Sequence, residues 1–134
     1  MSLERIIEDS RTRLAVDAGT LADAVEAFAR CAAACTACSS ACLAEDAVDD
    51  LRDCIALDDV CAEVCTATAR VASRLTRGSW DVLAAQLNAC EVATAACAAE
   101  CRAHASMHDH CAACADACDR AAVAARTLLD ALPD

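Results

Sequence analysis

The chain has 134 residues, thirteen of them cysteine, and its formal net charge is −11 at pH 7. This length is typical of one domain that can bury a core of its own. The acidic balance argues against nucleic acid and anionic membranes as partners, because both require basic surface. No uninterrupted apolar run approaches the roughly 18 residues of a membrane span.

The amino-terminal segment MSLERIIEDSRTR carries charges throughout and lacks the apolar stretch of a signal peptide. In a secreted chain, so many cysteines would indicate disulfides, whereas in a reducing compartment they indicate free or metal-bound thiolates. We therefore expect a cytoplasmic protein whose sulfur is held as thiol or thiolate.

The sequence is rich in alanine and has two glycines and one proline, a composition that favours helix throughout. Short polar breaks predict a first helix over 3–17 and four long helices over 20–44, 48–77, 80–105 and 107–131. Thr20, Asp46, Ser79 and Ser106 are the expected N-caps. The fold class is therefore all-α: an antiparallel up-down-up-down four-helix bundle over 20–134, preceded by an N-terminal helix within 1–19, in a single domain of residues 1–134.

The first long helix contains the segment CAAACTACSSAC, residues 31–42. Its first three cysteines spell C-x3-C-x2-C, the iron–sulfur signature of radical S-adenosylmethionine enzymes. That chemistry requires a large α/β barrel, which 134 helical residues cannot form. The alternating steps of three and four residues are those of one face of a helix, so the match is a coincidence of period.

The other three long helices repeat this spacing, so all thirteen cysteines are predicted to face the inside of the bundle. Asp58 falls on the same seam between Cys54 and Cys61, either as a ligand or partner of the thiols or rotated outward. The inward positions of the second helix are Leu51, Cys54, Asp58, Cys61, Cys65 and Thr68. Those of the third are Leu83, Leu87, Cys90, Thr94, Cys97, Cys101, His104 and His108, and those of the fourth are Met107, Cys111, Cys114, Cys118, Ala121, Ala125 and Leu128.

The two ends of the predicted bundle differ. With antiparallel neighbours, the loops near 46 and 106 lie at one end, and the cysteines crowd that end and the middle. The opposite end collects large apolar residues, which predict a packed plug: Leu21, Phe28, Val71, Leu75, Trp80, Leu83, Leu87 and Leu128.

A tube of thiols points to a soft metal. One buried cysteine is usually just a small apolar side chain, but thirteen on one face are not explained in that way. Soft thiolates select Cu(I), zinc and iron–sulfur clusters. Stacked four-thiolate zinc or iron–sulfur sites would bury several negative charges, whereas each Cu(I) replaces one thiol proton and leaves the core neutral. The sequence favours a non-enzymatic store of multiple Cu(I) ions, about one per cysteine; an iron–sulfur protein, or a zinc or thiol redox reservoir, is the alternative.

Three histidines occur within seven residues at the cysteine-rich end: His104, His108 and His110, with Met107 among them. Imidazole and thioether both suit copper. We expect this cluster to bind copper at the mouth of the tube, where ions enter and leave.

The chain resembles the cytosolic copper storage proteins, which are cysteine-lined four-helix bundles of bacteria. The resemblance is carried by CAAACTACSSAC (31–42), CIALDDVCAEVC (54–65), CEVATAACAAEC (90–101) and HASMHDHCAACADAC (104–118). It implies that cysteine pairs bind Cu(I) inside the bundle, that His104, His108 and His110 line the entrance, and that subunits form homotetramers. We expect copper chaperones as further partners. The expected metal ligands are Cys31, Cys35, Cys38, Cys42, Cys54, Asp58, Cys61, Cys65, Cys90, Cys97, Cys101, His104, His108, His110, Cys111, Cys114 and Cys118.

Overall fold

The structure is a computed structural model that describes residues 2–10, 16–74 and 80–133. Within these ranges the chain forms helices and contains no strand. The helices are α1 (Leu3–Asp9), α2 (Ala18–Leu43), α3 (Arg52–Ser73), α4 (Trp80–His104) and α5 (Asp109–Ala131), and a 3₁₀ turn over Val48–Leu51 precedes α3. The predicted all-α class is confirmed.

The four long helices form a closed bundle. Helix α2 packs against α3 and α5, and α4 packs against the same two helices, so each long helix has two neighbours. Consecutive helices are neighbours joined by short connections, which makes them antiparallel, as predicted. Helix α1 lies against α2, and its Ile7 is 2% exposed within the common core.

The start of the bundle differs from the prediction. Helix α1 ends at Asp9 and not at residue 17, because Ser10 adopts an extended conformation; residues 11–15 lie outside the described part. Helix α2 is capped by Asp17, whose carboxylate accepts a hydrogen bond of 2.8 Å from the backbone N–H of Thr20. The predicted cap at Thr20 was therefore wrong: this residue is the third of the helix, the usual donor to an N-cap.

Other helix ends also shift by a few residues. The predicted second long helix begins as a 3₁₀ turn whose N-cap is Ala47 and not Asp46, and α3 ends at Ser73. Helix α5 begins at Asp109 after His108, so the predicted start at 107 and the predicted cap at Ser106 were wrong. The predicted cap at Ser79 lies outside the described residues.

The seam of the bundle consists of sulfur, as predicted. Each of the thirteen cysteines is no more than 2% exposed. Thr68 and Thr94 are fully buried, and each satisfies its hydroxyl by donating to a backbone carbonyl one turn earlier, at Val64 and Cys90. Because these hydroxyls are occupied in this way, the interior left for chemistry consists of the thiols and the carboxylate of Asp58.

The end opposite the histidines is apolar. Leu21, Phe28, Leu87 and Leu128 are buried there, and Val71, Trp80 and Leu83 are half-buried, while Leu75 lies outside the described residues. Ile7 of α1 and Val25 join the same core, which the sequence pattern did not indicate. The predicted plug is present and is reinforced by α1.

Helix α4 is the one described helix that is long and apolar enough to cross a membrane by length and composition. In the bundle, Cys90, Cys97 and Cys101 of this helix face the same interior as the cysteines of the other three. Its apolar character is therefore accounted for in part by its place in the core.

Candidate metal centre

The thiols form a continuous column inside the bundle. Residues four apart on a helix stack on one face, and this spacing places pairs of Sγ atoms on the same helix 3.9–4.0 Å apart. Neighbouring helices add contacts of 3.6–3.7 Å between Sγ atoms, for example between Cys54 and Cys101 and between Cys35 and Cys114. The same-helix pairs are Cys31–Cys35, Cys38–Cys42, Cys61–Cys65 and Cys97–Cys101.

These distances are those of unbonded thiols that one metal ion can bridge. All thirteen cysteines are free thiols. A disulfide requires sulfur atoms about 2.05 Å apart, much closer than any of the pairs given above. Two thiolates bound to opposite sides of one ion at about 2.3 Å would lie up to about 4.6 Å apart. The observed separations therefore allow one soft ion to contact two sulfurs with little rearrangement.

The possible ligand sets overlap. Several groups of four residues have their ligand atoms within 4.8 Å of one another. Cys35 belongs to two of these groups, and so do Cys38 and Asp58. Shared members are typical of polynuclear clusters, in which one thiolate bridges two ions. Five of the groups are Cys31–Cys35–Cys61–Cys118, Cys35–Cys97–Cys114–Cys118, Cys38–Cys42–Cys54–Cys111, Cys38–Cys54–Asp58–Cys101 and Asp58–Cys97–Cys101–Cys114.

Asp58 faces inward. Its side chain is fully buried, and Oδ1 accepts hydrogen bonds from the thiols of Cys97 (3.1 Å), Cys114 (3.2 Å) and Cys101 (3.6 Å). The Cys54 thiol lies 3.9 Å from Oδ2. Of the two interpretations of its position on the seam, outward rotation was wrong. The carboxylate is compensated by thiol donors from three different helices.

Burial raises the pKa of three thiols near the histidine end of the column. It raises the pKa of Cys42 to about 11, and it is the largest cause of the raised pKa of Cys54 and of Cys111. An ion that binds there must therefore displace protons. A monovalent ion that replaces one proton leaves the total charge of the interior unchanged.

His110 connects the column to the surface. Its Nδ1 lies 3.4 Å from Sγ of Cys38, 3.6 Å from Sγ of Cys111 and 3.9 Å from Sγ of Cys42. Its Nε2 lies 3.2 Å from Oε1 of Glu45, in the connection after α2. The contact with Cys38, and then Glu45, raises the pKa of His110 against the opposing effect of burial. This ring is thus in position to act as a ligand beside three thiols.

The other two histidines complete the mouth. His108 stacks on His110 with ring centroids 5.3 Å apart, and its Nδ1 lies 3.5 Å from Oε1 of Glu45. His104 ends α4, and its Nε2 lies 3.2 Å from Oε1 of Glu100 one turn earlier. Nδ1 of His104 is buried and has no hydrogen-bond partner among the described residues. Met107 was predicted to face inward, and this was wrong: the residue precedes α5, which begins at Asp109, and is 69% exposed.

Sequence reasoning missed the two glutamates of the mouth. Glu100 precedes His104 by four residues on a helix, a spacing at which side chains meet, so its contact was open to prediction. Glu45 lies in a connection, and no periodic pattern relates it to His110, 65 residues away. Only the folded chain brings that pair together.

Comparison with known proteins places this arrangement in context. A family model described as copper storage protein (Csp) matches residues 17–130. The uncharacterized cysteine-rich protein YhjQ of Bacillus subtilis is 36% identical over 93 residues, which cover 69% of this chain and 81% of that protein.

Solved structures of the copper storage protein Ccsp from Streptomyces lividans are also similar. One, loaded with 10 copper equivalents, superimposes with a TM-score of 0.94 at 45% identity, covering 98% of this chain and all of the other. Another, described as a cytosolic copper storage protein with five coppers, gives a TM-score of 0.84 at 49% identity, covering 86% of this chain and 96% of the other.

Proposed function

Because the chain belongs to the copper storage protein family, we propose that it stores several Cu(I) ions inside its four-helix bundle, bound by the thiolates that line it. The observation that carries this proposal is the column of thirteen buried thiols, whose ligand sets share members. Storage needs many equivalent sites in a small volume, and bridging thiolates provide them.

Charge favours copper over the alternatives. A closed zinc site takes four ligands of its own, and a site of four thiolates carries a net negative charge. Burying several such sites side by side would cost more free energy than neighbouring donors can return. Cu(I) replaces thiol protons one for one, so loading proceeds without accumulation of charge. The overlap of sets at Cys35 and Cys38 also disfavours isolated four-ligand sites.

The ligands we propose are the thirteen cysteines, Asp58 and the three histidines. Asp58 is supported by its place among four thiols, which lie 3.1–3.9 Å from its carboxylate oxygens. His110 is supported by the short distances between its Nδ1 and three Sγ atoms. His104 and His108 are supported by their position at the same end of the bundle, opposite the apolar plug.

We propose a cytoplasmic location, supported by the similar cytosolic protein of Streptomyces lividans. Membership of a storage family favours a role without catalysis. We further propose that residues 1–134 act as one domain, that subunits assemble as homotetramers, and that copper chaperones exchange copper with the store.

Anaerobic titration of the reduced protein with Cu(I), and separately with zinc, tests the proposal. We expect saturation near one Cu(I) per cysteine with a few further ions at the histidines, and a colourless product. Zinc should saturate at a far lower ratio. Saturation by Cu(I) at only a few ions per chain, or a brown purified protein with visible absorption, would contradict storage and favour discrete four-thiolate sites.

A further inference from the structure

We propose that Glu45 and Glu100 are positioning residues that hold His110 and His104 in the tautomer with an unprotonated Nδ1. The inference rests on the proposed function, in which these rings bind copper at the mouth. The two glutamates, one in a connection and one on a helix, form no hydrogen bond with a thiol in the described part of the chain. They act on the site by deciding which ring nitrogen is available to the ion.

The argument is direct for His110. A carboxylate can only accept a hydrogen bond, so Oε1 of Glu45 at 3.2 Å requires the proton of the neutral ring to be on Nε2. Nδ1 then carries a lone pair, and Nδ1 is the atom that lies 3.4 Å from Sγ of Cys38. Thiols are weak donors, whereas a hydrogen bond to a carboxylate is charge-assisted, so Glu45 dominates the choice of tautomer.

The same arrangement occurs independently at His104. Oε1 of Glu100 lies 3.2 Å from Nε2 of this ring, which again fixes the proton on Nε2. The remaining atom, Nδ1, is buried and has no hydrogen-bond partner in the described part of the chain. A buried lone pair without a partner is unusual in a protein and is available to a metal ion. Two glutamates from different segments thus present two rings in the same way.

When one nitrogen of an imidazole binds a metal ion, a carboxylate that accepts a hydrogen bond from the other nitrogen fixes the orientation of the ring and increases its basicity. Loss of such a partner typically lowers metal affinity or activity by about 10–100-fold. Glu45 has a second contact, 3.5 Å from Nδ1 of His108, and therefore ties the end of α2 to the connection between α4 and α5. Loss of Glu45 should accordingly affect the mouth more strongly than loss of Glu100.

The test reads the tautomers directly. Reduced, metal-free protein with ¹⁵N-labelled histidine is studied by long-range ¹H–¹⁵N correlation at a pH where the rings are neutral. In the wild type we expect unprotonated Nδ1 and protonated Nε2 for both His104 and His110. Glu45→Ala should give His110 a mixture of tautomers and leave His104 unchanged, and Glu100→Ala should do the reverse, so each variant is the control for the other.

Gln substitutions separate a positioning role from a space-filling one. The amide of Glu45→Gln has the shape of the carboxylate but can donate as well as accept, so it should give a partial shift of the His110 tautomer. Glu45→Gln also replaces Glu45→Ala in the test if circular dichroism shows that the alanine variant does not fold. A wild-type His110 tautomer in both Glu45 variants, or a protonated Nδ1 in the wild type, would overturn the inference.

The rate of Cu(I) loading, measured on the same variants, completes the test. The initial rate of Cu(I) loading should fall about tenfold in Glu45→Ala, within the range given for such partners, while Glu63→Ala on the exposed face of α3 should load like the wild type. Total capacity should be unchanged in all variants. Low capacity of the wild type would refute the storage function, whereas full capacity with unchanged loading rates and tautomers in the variants would refute only the positioning role.

Discussion

Oδ1 of Asp58 accepts a hydrogen bond of 3.1 Å from the thiol of Cys97, across the middle of the bundle. The carboxylate belongs to two overlapping ligand sets and supplies the one oxygen atom in them. In the proposed function, a first copper ion bound there would gain an oxygen ligand without displacing a further thiol proton.

We therefore predict that Asp58→Asn weakens the binding of the first Cu(I) ions by about tenfold or more, the magnitude seen when a partner in a metal site is lost. The total capacity should change little, because the cysteines remain. Competition with a Cu(I) chelator at low copper-to-protein ratios measures the effect. Asp59→Asn is the matched control, since Asp59 is adjacent and exposed; equal competition by the two variants would show that Asp58 is not a ligand.

The histidines should control the rate of exchange and not the capacity. Replacement of His104, His108 and His110 by alanine leaves the chain without any imidazole. We expect a chelator to extract Cu(I) several-fold more slowly from this variant, because the ions lose the transient ligands that they use at the mouth. Met107→Ala is the control, because this side chain lies in the same turn but is exposed. Unchanged removal from the triple variant would mean that copper passes elsewhere.

The metal-free protein should be folded, because the apolar plug does not depend on copper. Phe28 is fully buried there, and Phe28→Ala should lower the free energy of unfolding by about 3–5 kcal/mol. Chemical denaturation of the reduced apo-protein, followed by circular dichroism, measures this loss. Val92→Ala, at a position 73% exposed, should change stability by no more than about 0.5 kcal/mol. A mostly disordered apo wild type would contradict the prediction.

Alkaline pH should destabilise the metal-free protein. Burial raises the pKa of Cys42 from 9.0 to about 11, so the unfolded chain releases its proton at lower pH than the folded one. The contribution of this thiol is complete below pH 9.0 and is lost as the pH rises towards about 11. Cys38, Cys54, Cys111 and His110 face the same region and are part of the titration.

Denaturation midpoints measured under reducing conditions at about pH 8 and about pH 10.5 test this expectation. The midpoint should fall at the higher pH, and saturation with Cu(I) should remove much of the difference, because bound thiolates no longer hold protons. An apo-protein that is equally stable at both pH values would show that the thiols are not held protonated by burial.

The sequence predicted the bundle and its interior because both follow from helical period. Cys31, Cys65 and Cys118 face inward for the same reason that leucines do in other bundles, and the spacing of three and four residues is sufficient to show it. Helix ends were predicted less well, since a cap depends on one local conformation. Asp17 rather than Thr20 caps α2 because its backbone is extended while its carboxylate reaches the N–H of Thr20.

The details of the site depend on contacts between segments. Periodicity placed Asp58 on the seam but left two orientations open. Only the closed bundle, which brings thiols of α4 and α5 to α3, shows its carboxylate among them. The contact of Glu45 with His110 has no counterpart in any local pattern, because a connection and a helix start meet only after the bundle closes.

The overlap of the ligand sets has a consequence for how such a protein can change over generations. A metal site whose four ligands belong to no other site is lost when one of them mutates. In overlapping sets, the loss of one cysteine would leave its neighbours as members of other sets that can still bind an ion. Gains are equally simple, because one more helical turn adds about 5.4 Å of column and room for another inward thiol. Capacity in this architecture is thus a graded trait that can fall by single substitutions and rise by added turns, without an intermediate that binds no metal.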